Sequence, residues 1–423
     1  MQGYASLDFW CARVRAAHPQ LSPGLPRCIH STRSTLMSSE EEVLPIPNLK
    51  LPQAHFVLQN QRLQSLHGKA LEDLVAGVEA DEMAPYYKLL LESTPSLKRD
   101  DALLKKMEDA NTAAFAKLDE ALANAEKTEG ETEISDALRA KATYLTKIGD
   151  KEKALEAQKL ALEKTPGLGS RIDIVLTMIR IGFFFQDNAV VAEWMTKASE
   201  LIDQGGDWDR RNRLKVYEGR HMLSVRRFKE ASDLLLDALS TFTATEVFEY
   251  NEFVTLTVLS GTLTLERVEL KKRIMSSPEV NSVLPELPHL GDYFTSLYNC
   301  DYSRFFRALA EVEQMYLIPS RILSPHTQFY VREMRVLAYS QLLQSYRSVS
   351  IASLSAAFGV TPSFIDADLS RFIISGRLNC TIDKVSGIVE THRPDRKNAL
   401  YEQVVKQGDV VLNEIQKLSK VLC

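Results

Sequence analysis

The sequence has few cysteines, and their spacing argues against the structures that cysteines usually build. No two of them form a CxxC pair, and all five are scattered: Cys11, Cys28, Cys300, Cys380 and Cys423. This pattern predicts neither a disulfide framework nor a zinc cluster, and it is typical of a reducing compartment. Glycine is also scarce, with 18 residues in 423, which indicates few glycine-dependent turns.

Long apolar runs and an excess of positive charge are missing as well. The longest uncharged apolar stretch, Phe253–Leu265, has 13 residues, whereas a membrane-spanning helix needs roughly 18. The formal net charge is −5; residues 1–36 alone carry +3, so the remainder carries −8. We therefore predict no transmembrane helix, and the acidic body of the chain argues against nucleic acid as a partner.

Catalytic motifs are missing too. There is no GxxxxGK[ST] phosphate loop, no HExxH or HxH pair to hold a metal, and no GxSxG nucleophile elbow. Gly167-Leu168-Gly169 is a lone GxG of little weight. We predict a protein that is not an enzyme, with no catalytic residues, no cofactor and no metal.

The first residues differ from the rest, because they carry Arg, Ser and Pro and almost no acid before Met37. A transit peptide is one interpretation, but Pro19, Pro23 and Pro26 interrupt the long amphipathic helix that it would need. We interpret residues 1–50 as a disordered or non-native extension.

From about Leu63 onward the apolar residues recur at helical spacing. Residues 101–128 predict one long charged helix. Ala137–Ile148 and Lys151–Lys164, separated by Gly149-Asp150, predict a hairpin like those of tetratricopeptide (TPR) repeats. Small residues then recur in the predicted second helices about every 38 or 39 residues, at Ala154, Ala192 and Ala231 and more weakly at Leu270 and Ala308. Such a period predicts a solenoid of stacked hairpins, which offers an extended scaffold surface.

Residues 346–395 predict a winged helix. Ser350 caps a short helix through Phe358, Thr361-Pro362 begins a second helix to Ser375, and residues 377–382 and 387–391 alternate as a strand hairpin. Its basic and acidic residues balance to zero, whereas duplex binding typically uses about 6–10 phosphate contacts. Protein contact is therefore the better interpretation of this domain.

The end of the chain predicts an amphipathic helix. Its apolar stripe follows three-, four- and seven-residue steps: Leu400, Val404, Val411, Ile415, Leu418 and Leu422. Such a stripe predicts a seam for partner helices, and the alternative is that it docks back onto its own domain.

A cationic helix entrance follows Gly205-Gly206, and it supplies the other candidate interaction residues: Asp207, Trp208, Asp209, Arg210, Arg211 and Arg213. Cations are unfavourable at a helix N-terminus. The spacing predicts the pairs Asp207–Arg211 and Asp209–Arg213, which leaves Arg210 and Lys215 with weaker cover. The cluster is either a solvated, self-paired helix start or an element that binds another repeat or another protein.

This layout resembles the PCI family, whose members are subunits of the proteasome lid, the COP9 signalosome and a translation initiation factor. Several segments resemble one subunit of the 26S proteasome lid in particular: Gly206–Tyr217, Ala84–Tyr87, Tyr330–Arg335, Ala338–Leu343, Gly376–Leu378 and Val389–Asp395. The resemblance implies a non-catalytic scaffold of the regulatory particle in the cytoplasm and nucleus. It implies a hetero-oligomer with other PCI lid subunits and the lid's metal-dependent deubiquitinase, without nucleic acid or membrane.

Two alternatives remain open at this point, a PCI scaffold of the COP9 signalosome and a winged-helix nucleic-acid adaptor. The fold class that we predict is mainly α, a TPR-like solenoid followed by a winged helix and a C-terminal helix. The segments predicted after the extension are residues 51–205 (N-terminal helices and repeats), 206–345 (helical part of the PCI module), 346–395 (winged helix) and 396–423 (C-terminal helix).

Overall fold

Helices make up most of the structure, a computed structural model that describes residues 45–94, 97, 99–128, 130–392 and 396–422. Most of the predicted extension, together with Cys11, Cys28 and Cys423, therefore lies outside the described residues. The described residues belong to one structural unit, Leu44–Cys423. Its first helix begins at Lys50.

The first ten helices are α1 (Lys50–Gln59), α2 (His67–Ala80), α3 (Ala84–Ser93), α4 (Asp101–Thr128), α5 (Glu131–Ile148), α6 (Lys151–Lys164), α7 (Leu168–Phe185), α8 (Asn188–Gly205), α9 (Trp208–Ser224) and α10 (Phe228–Ala238). The helices that follow are α11 (Tyr250–Thr264), α12 (Arg267–Leu270), α13 (Pro278–Val283), α14 (Leu290–Asn299), α15 (Tyr302–Val312), α16 (Thr327–Leu343), α17 (Ile351–Phe358), α18 (Pro362–Ile374) and α19 (Arg396–Leu422). Short 3₁₀ segments lie at Gln61–Leu66, Leu239–Thr241, Leu284–Glu286 and Ser324–His326, and π-helical turns at Lys271–Met275 and Glu313–Leu317.

Consecutive helices pair as hairpins through most of the chain, as the sequence predicts. The helix predicted over 101–128 is confirmed, and α6 has the predicted bounds, whereas α5 begins six residues earlier than expected. The turn between α5 and α6 depends on Gly149, whose φ of +76° is the left-handed conformation that glycine adopts without strain. Asp150 then caps α6 by accepting a hydrogen bond from the Lys153 backbone N–H.

The repeat register predicted at Ala192 is wrong by one residue. Ala192 is exposed, and Val191 is the buried fourth residue of α8, as Ala154 is in α6 and Ala231 is in α10. The spacing is therefore 37 and then 40 residues. The physical reason is that the small residue of this hairpin, Gly182, lies on the first helix and makes room for the valine.

Four glycines inside helices mark close helix contacts. A Cβ atom built on any of them would lie 2.4–2.7 Å from a branched aliphatic side chain of another segment: Gly77 on Leu51, Gly182 on Val191, Gly219 on Leu235 and Gly261 on Ile274. Real Cβ atoms do not approach so closely, so each glycine is required by the side chain packed onto it.

A winged helix with a three-stranded antiparallel sheet precedes the last helix, α19. Its strands are β1 (Ser348–Ser350), β2 (Cys380–Asp383) and β3 (Ile388–Thr391), in the order β1-β3-β2. The predicted hairpin is confirmed, but β2 begins later than expected because the backbone N–H groups of Arg377 and Leu378 still bond to the Phe372 carbonyl at the end of α18. β1 was not predicted. Ser350 caps α17, as expected, through the Ser353 N–H.

The apolar run Phe253–Leu265 falls mostly in α11, which is buried against its neighbours. Buried hydroxyl groups near its C-terminal end are paired: the Tyr330 hydroxyl of α16 lies 3.2 Å from the Thr262 hydroxyl and 2.8 Å from the Tyr293 hydroxyl of α14. No described helix is long and apolar enough to span a membrane.

Candidate protein-interaction sites

Arg210 at the start of α9 binds the preceding hairpin. Its Nη2 and Nε donate to the Asp173 carboxylate of α7 at 2.7 and 3.2 Å, and its Nη1 donates to Asp207 at 2.5 Å. The hydrogen bonds that Arg210 donates to Asp173 raise the pKa of Arg210 above its ordinary value. The predicted Asp207–Arg211 pair is therefore wrong, because Asp207 pairs with Arg210, and Arg210 is well covered by acids.

Arg213 binds the following segment instead. Its Nη2 donates to Glu246 at 3.0 Å, and the two side chains are only 6 % and 1 % exposed. The Tyr217 hydroxyl donates to the same Glu246 oxygen at 3.0 Å, and burial raises the pKa of Tyr217. The predicted Asp209–Arg213 pair is confirmed at 3.6 Å, with Asp173 a further 3.8 Å contact. α9 is thereby held to the hairpin before it and to the segment after it.

The remaining residues of the entrance face outward. Trp208 is 63 % exposed, and Arg211 is exposed while its predicted acid is occupied by Arg210. Lys215 is half-buried. The cluster thus divides into Arg210 and Arg213, which join repeats within the chain, and Trp208 and Arg211, which are available to a partner.

Arg321 is a joining residue that the sequence did not point to. Its Nη1 and Nη2 donate to the carbonyls of Phe183 and Phe184, at the C-terminal end of α7, at 3.3 and 3.0 Å. Gln53 of α1 binds the same loop: its side-chain amide donates to the Pro319 carbonyl at 2.6 Å and accepts from the Arg321 backbone N–H at 3.0 Å. Burial lowers the pKa of Arg321 to about 10. The loop lies between the π-helical turn Glu313–Leu317 and the short 3₁₀ segment Ser324–His326.

The winged helix keeps several of its charges paired with acids. Lys384 lies 3.4 Å from Asp366 of α18, Arg335 donates to Asp368 at 2.7 Å, and Arg377 pairs with Glu333. Because these cations are already paired with acids, they are less available to the phosphate groups of DNA, and the helix that would enter a groove carries Asp366 and Asp368. This charge pattern favours a protein partner.

The C-terminal helix α19 presents its apolar side chains to solvent. Leu400, Val404, Val411, Ile415 and Leu418 are 53–62 % exposed, and the side chain of Leu422 lies outside the described residues. The alternative that this stripe docks back onto its own domain is wrong for the described side chains.

Further apolar residues of α19 were missed: Tyr401, Val405, Val410 and Leu412, all more than half exposed. All of them except Val410 lie beside the predicted stripe and widen it. If each residue turns the helix by about 100°, the apolar side chains cover an arc of about 140° around the helix axis, which is broader than the seam of a two-stranded coiled coil. The helical spacing of Tyr401, Val405 and Leu412 was a signal that could have found them.

The described residues contain no group of three or more His, Cys, Asp or Glu side chains placed to hold a metal ion. A cavity of about 600 Å³ lies beside α16 and is lined by apolar groups such as Phe306, Val331 and Phe364, together with Arg332.

Three family models match the chain in succession. They are the 26S proteasome subunit RPN7 over residues 100–273, the PCI domain over residues 309–393, and the 26S proteasome regulatory subunit RPN7/PSMD6 C-terminal helix over residues 401–422. The last match coincides with the exposed helix α19.

Curated relatives match nearly the whole chain. The 26S proteasome non-ATPase regulatory subunit 6 homolog of Arabidopsis thaliana is 45 % identical over 377 residues, covering 89 % of this chain and 97 % of the relative. The Schizosaccharomyces pombe subunit rpn7 is 43 % identical, covering 89 % and 96 %. The Saccharomyces cerevisiae subunit RPN7 is 39 % identical, covering 88 % and 92 %.

Proposed function

The chain belongs to the RPN7 family of 26S proteasome regulatory subunits, and we propose that it acts in the lid without catalysis, by holding other subunits in place. It is a PCI subunit of the lid, and its relatives do not favour the COP9 signalosome alternative. The partners that we propose are other PCI subunits and the lid's metal-dependent deubiquitinase, in the cytoplasm and nucleus. The features below concern how the chain would hold them.

The exposed apolar face of α19 carries this proposal. Full burial of a Val, Leu or Ile side chain stabilises by about 1.5–3 kcal/mol, and seven such residues described on this face are more than half exposed. A face of this width requires neighbours on both flanks, so we propose that α19 enters a bundle of helices contributed by other subunits.

The winged helix supports a second contact. Because β3 lies between β1 and β2, the two outer strands have unpaired backbone groups along their free edges. We propose that a neighbouring sheet adds to the free edge of β2, Cys380–Asp383.

The outward half of the α9 entrance supplies a third. Tryptophan and arginine are enriched where interfaces gain most of their binding energy, and Trp208 and Arg211 lie side by side in one exposed turn. We propose that this turn contacts another lid subunit, while Asp207, Asp209, Arg210 and Arg213 keep the turn in place.

Deletion of residues 397–423 tests the proposal. Native gels should show the full-length tagged chain migrating with lid subunits and the deleted chain migrating apart from them. The isolated chain is the control, because α19 leaves its apolar face exposed and its removal should not change thermal unfolding of the core. Unchanged migration of the deleted chain with lid subunits would contradict the role of α19.

Affinity purification of the tagged chain followed by mass spectrometry tests the assembly itself. We expect proteasome lid subunits among the purified proteins, whereas signalosome subunits in their place would contradict the proposal.

A further inference from the structure

Gly408 lies in the middle of the apolar face of α19, and no contact among the described residues requires a glycine there. Its φ is not in the left-handed region, so the backbone would accept other residues. A Cβ atom built on Gly408 meets nothing within 4 Å. Glycine is also less favourable than alanine in a helix interior, so this residue weakens α19, and no contact among the described residues compensates for that loss.

The other interior helix glycines of the described chain show what such a residue does here. Among described glycines with at least three residues of the same α-helix on either side, the remaining four are those packed under Leu51, Val191, Leu235 and Ile274. Each of these four accepts a branched aliphatic side chain from another segment of the same chain. Gly408 has the same helical setting and lacks only the neighbour.

The seam around Gly408 fits a helical neighbour. Val404, Gly408, Val411, Ile415 and Leu418 follow alternating steps of four and three residues, the spacing at which side chains of one helix enter gaps in another. The four residues around Gly408 in this series are large and exposed. The glycine is therefore a gap between bulky side chains, where a partner backbone can approach most closely.

We infer that Gly408 is the close-contact point of α19 in the assembled lid, and that a helix of a neighbouring subunit places a Leu, Ile or Val side chain directly on it. This inference rests on the proposed function of α19, and it adds the position and the chemistry of the occupant.

The test replaces the endogenous subunit with the tagged full-length chain carrying Gly408→Leu. We expect at least about a tenfold loss of co-purified lid subunits, because a side chain forced into a closely packed contact is strongly unfavourable. Gly408→Ala, which adds one methyl group, should give an intermediate loss. The matched control is Asn413→Leu, which adds the same side chain on the opposite face of α19 and should be incorporated like the wild type. Equal thermal unfolding of the isolated variants shows that the fold is kept.

The outcomes separate the inference from the function on which it rests. Wild-type incorporation of Gly408→Leu, combined with loss of incorporation on deletion of 397–423, would overturn the close contact and leave the proposed function standing. Wild-type incorporation of the deletion would overturn both. Equal losses from Gly408→Leu and Asn413→Leu would also overturn the inference, because added apolar bulk rather than its position would then be the cause.

A photo-leucine at Val411, three residues from Gly408 along the seam, identifies the occupant in the assembled complex. We expect its crosslink on a helix of another subunit, within one turn of a Leu, Ile or Val. A crosslink to a loop or a strand would overturn the assignment of a helical neighbour.

Discussion

Replacing Glu246 by glutamine should loosen α9 from the segment that follows it. The Arg213 guanidinium is almost fully buried and lies 3.0 Å from Glu246. At that distance the Coulomb attraction is about 5.5 kcal/mol for an effective dielectric constant near 20. Desolvation offsets much of this attraction, so the pair itself adds little net stability, but leaving one charge buried without its partner typically costs about 3–5 kcal/mol.

Two features of the site reduce the expected cost. Asp209 and Asp173 remain 3.6 and 3.8 Å from Arg213, and the glutamine oxygen still accepts from the Tyr217 hydroxyl. We therefore expect a loss of about 2–3 kcal/mol in the local opening free energy. Since about 1.4 kcal/mol corresponds to a factor of ten, amide hydrogen exchange in α9 should accelerate roughly 30- to 150-fold, while α2 and α3 remain unchanged.

The double variant Arg213→Met/Glu246→Leu separates the ion pair from ordinary packing. Replacing both charges by apolar groups of similar volume should recover most of the protection, apart from the acceptor lost by Tyr217. Exchange of Glu246→Gln within twofold of the wild type would refute this reasoning. A double variant less protected than Glu246→Gln would refute it as well.

Three other predictions follow from the same contacts. Arg210→Glu should lower the free energy of unfolding by about 2 kcal/mol, because it places a third acid beside two others. Arg211→Glu should change this free energy by less than about 0.5 kcal/mol. Urea unfolding measures both values, and a larger loss for Arg211→Glu would contradict the assignment of Arg210 as the residue that joins the repeats. Arg321→Ala should accelerate hydrogen exchange at the C-terminal end of α7 and in α1 at least about tenfold, since bonds from a charged donor contribute about 1.5–3 kcal/mol each. Unchanged exchange in α1 would argue against Arg321 as the residue that joins the loop to these helices. Burial raises the pKa of Tyr86 to about 12, so the free energy of unfolding should fall between pH 10 and 12, by at most about 2.7 kcal/mol. Urea unfolding measured at several pH values should show a smaller fall for Tyr86→Phe. A fall of the same size in this variant would contradict the prediction.

The helices could be predicted well because their signals are local. The spacing of apolar residues, the break at Gly149 and the caps at Asp150 and Ser350 are all read within a few positions of the chain. The error at Ala192 has a different origin, because which helix of a hairpin supplies the small residue depends on the packing partner. Sequence periodicity alone cannot choose between Gly182 on one helix and an alanine on the next.

The charged residues of the α9 entrance were harder for the same reason. The local spacing indicated Asp207 and Asp209 as the acidic partners. The strongest contact of Arg210 is instead with Asp173, 37 positions away, and that of Arg213 is with Glu246, 33 positions away. Distant partners of this kind leave no local pattern. α19 is the opposite case, since its apolar stripe is local and the structure adds mainly its width and its exposure.

The hydrogen bonds that Arg321 donates to the end of α7 also have a consequence for folding during translation. Phe183, whose carbonyl Arg321 binds, is synthesised 138 residues earlier. At about 5–20 residues per second, that end of α7 waits roughly 7 to 28 s for its partner during translation. During this interval the repeats can stack in order, but Gln53 of α1 cannot yet form its hydrogen bonds with the loop. A nascent chain released before residue 321 would therefore carry a first helix that packs against α2 but lacks the hydrogen bonds that Gln53 makes with this loop.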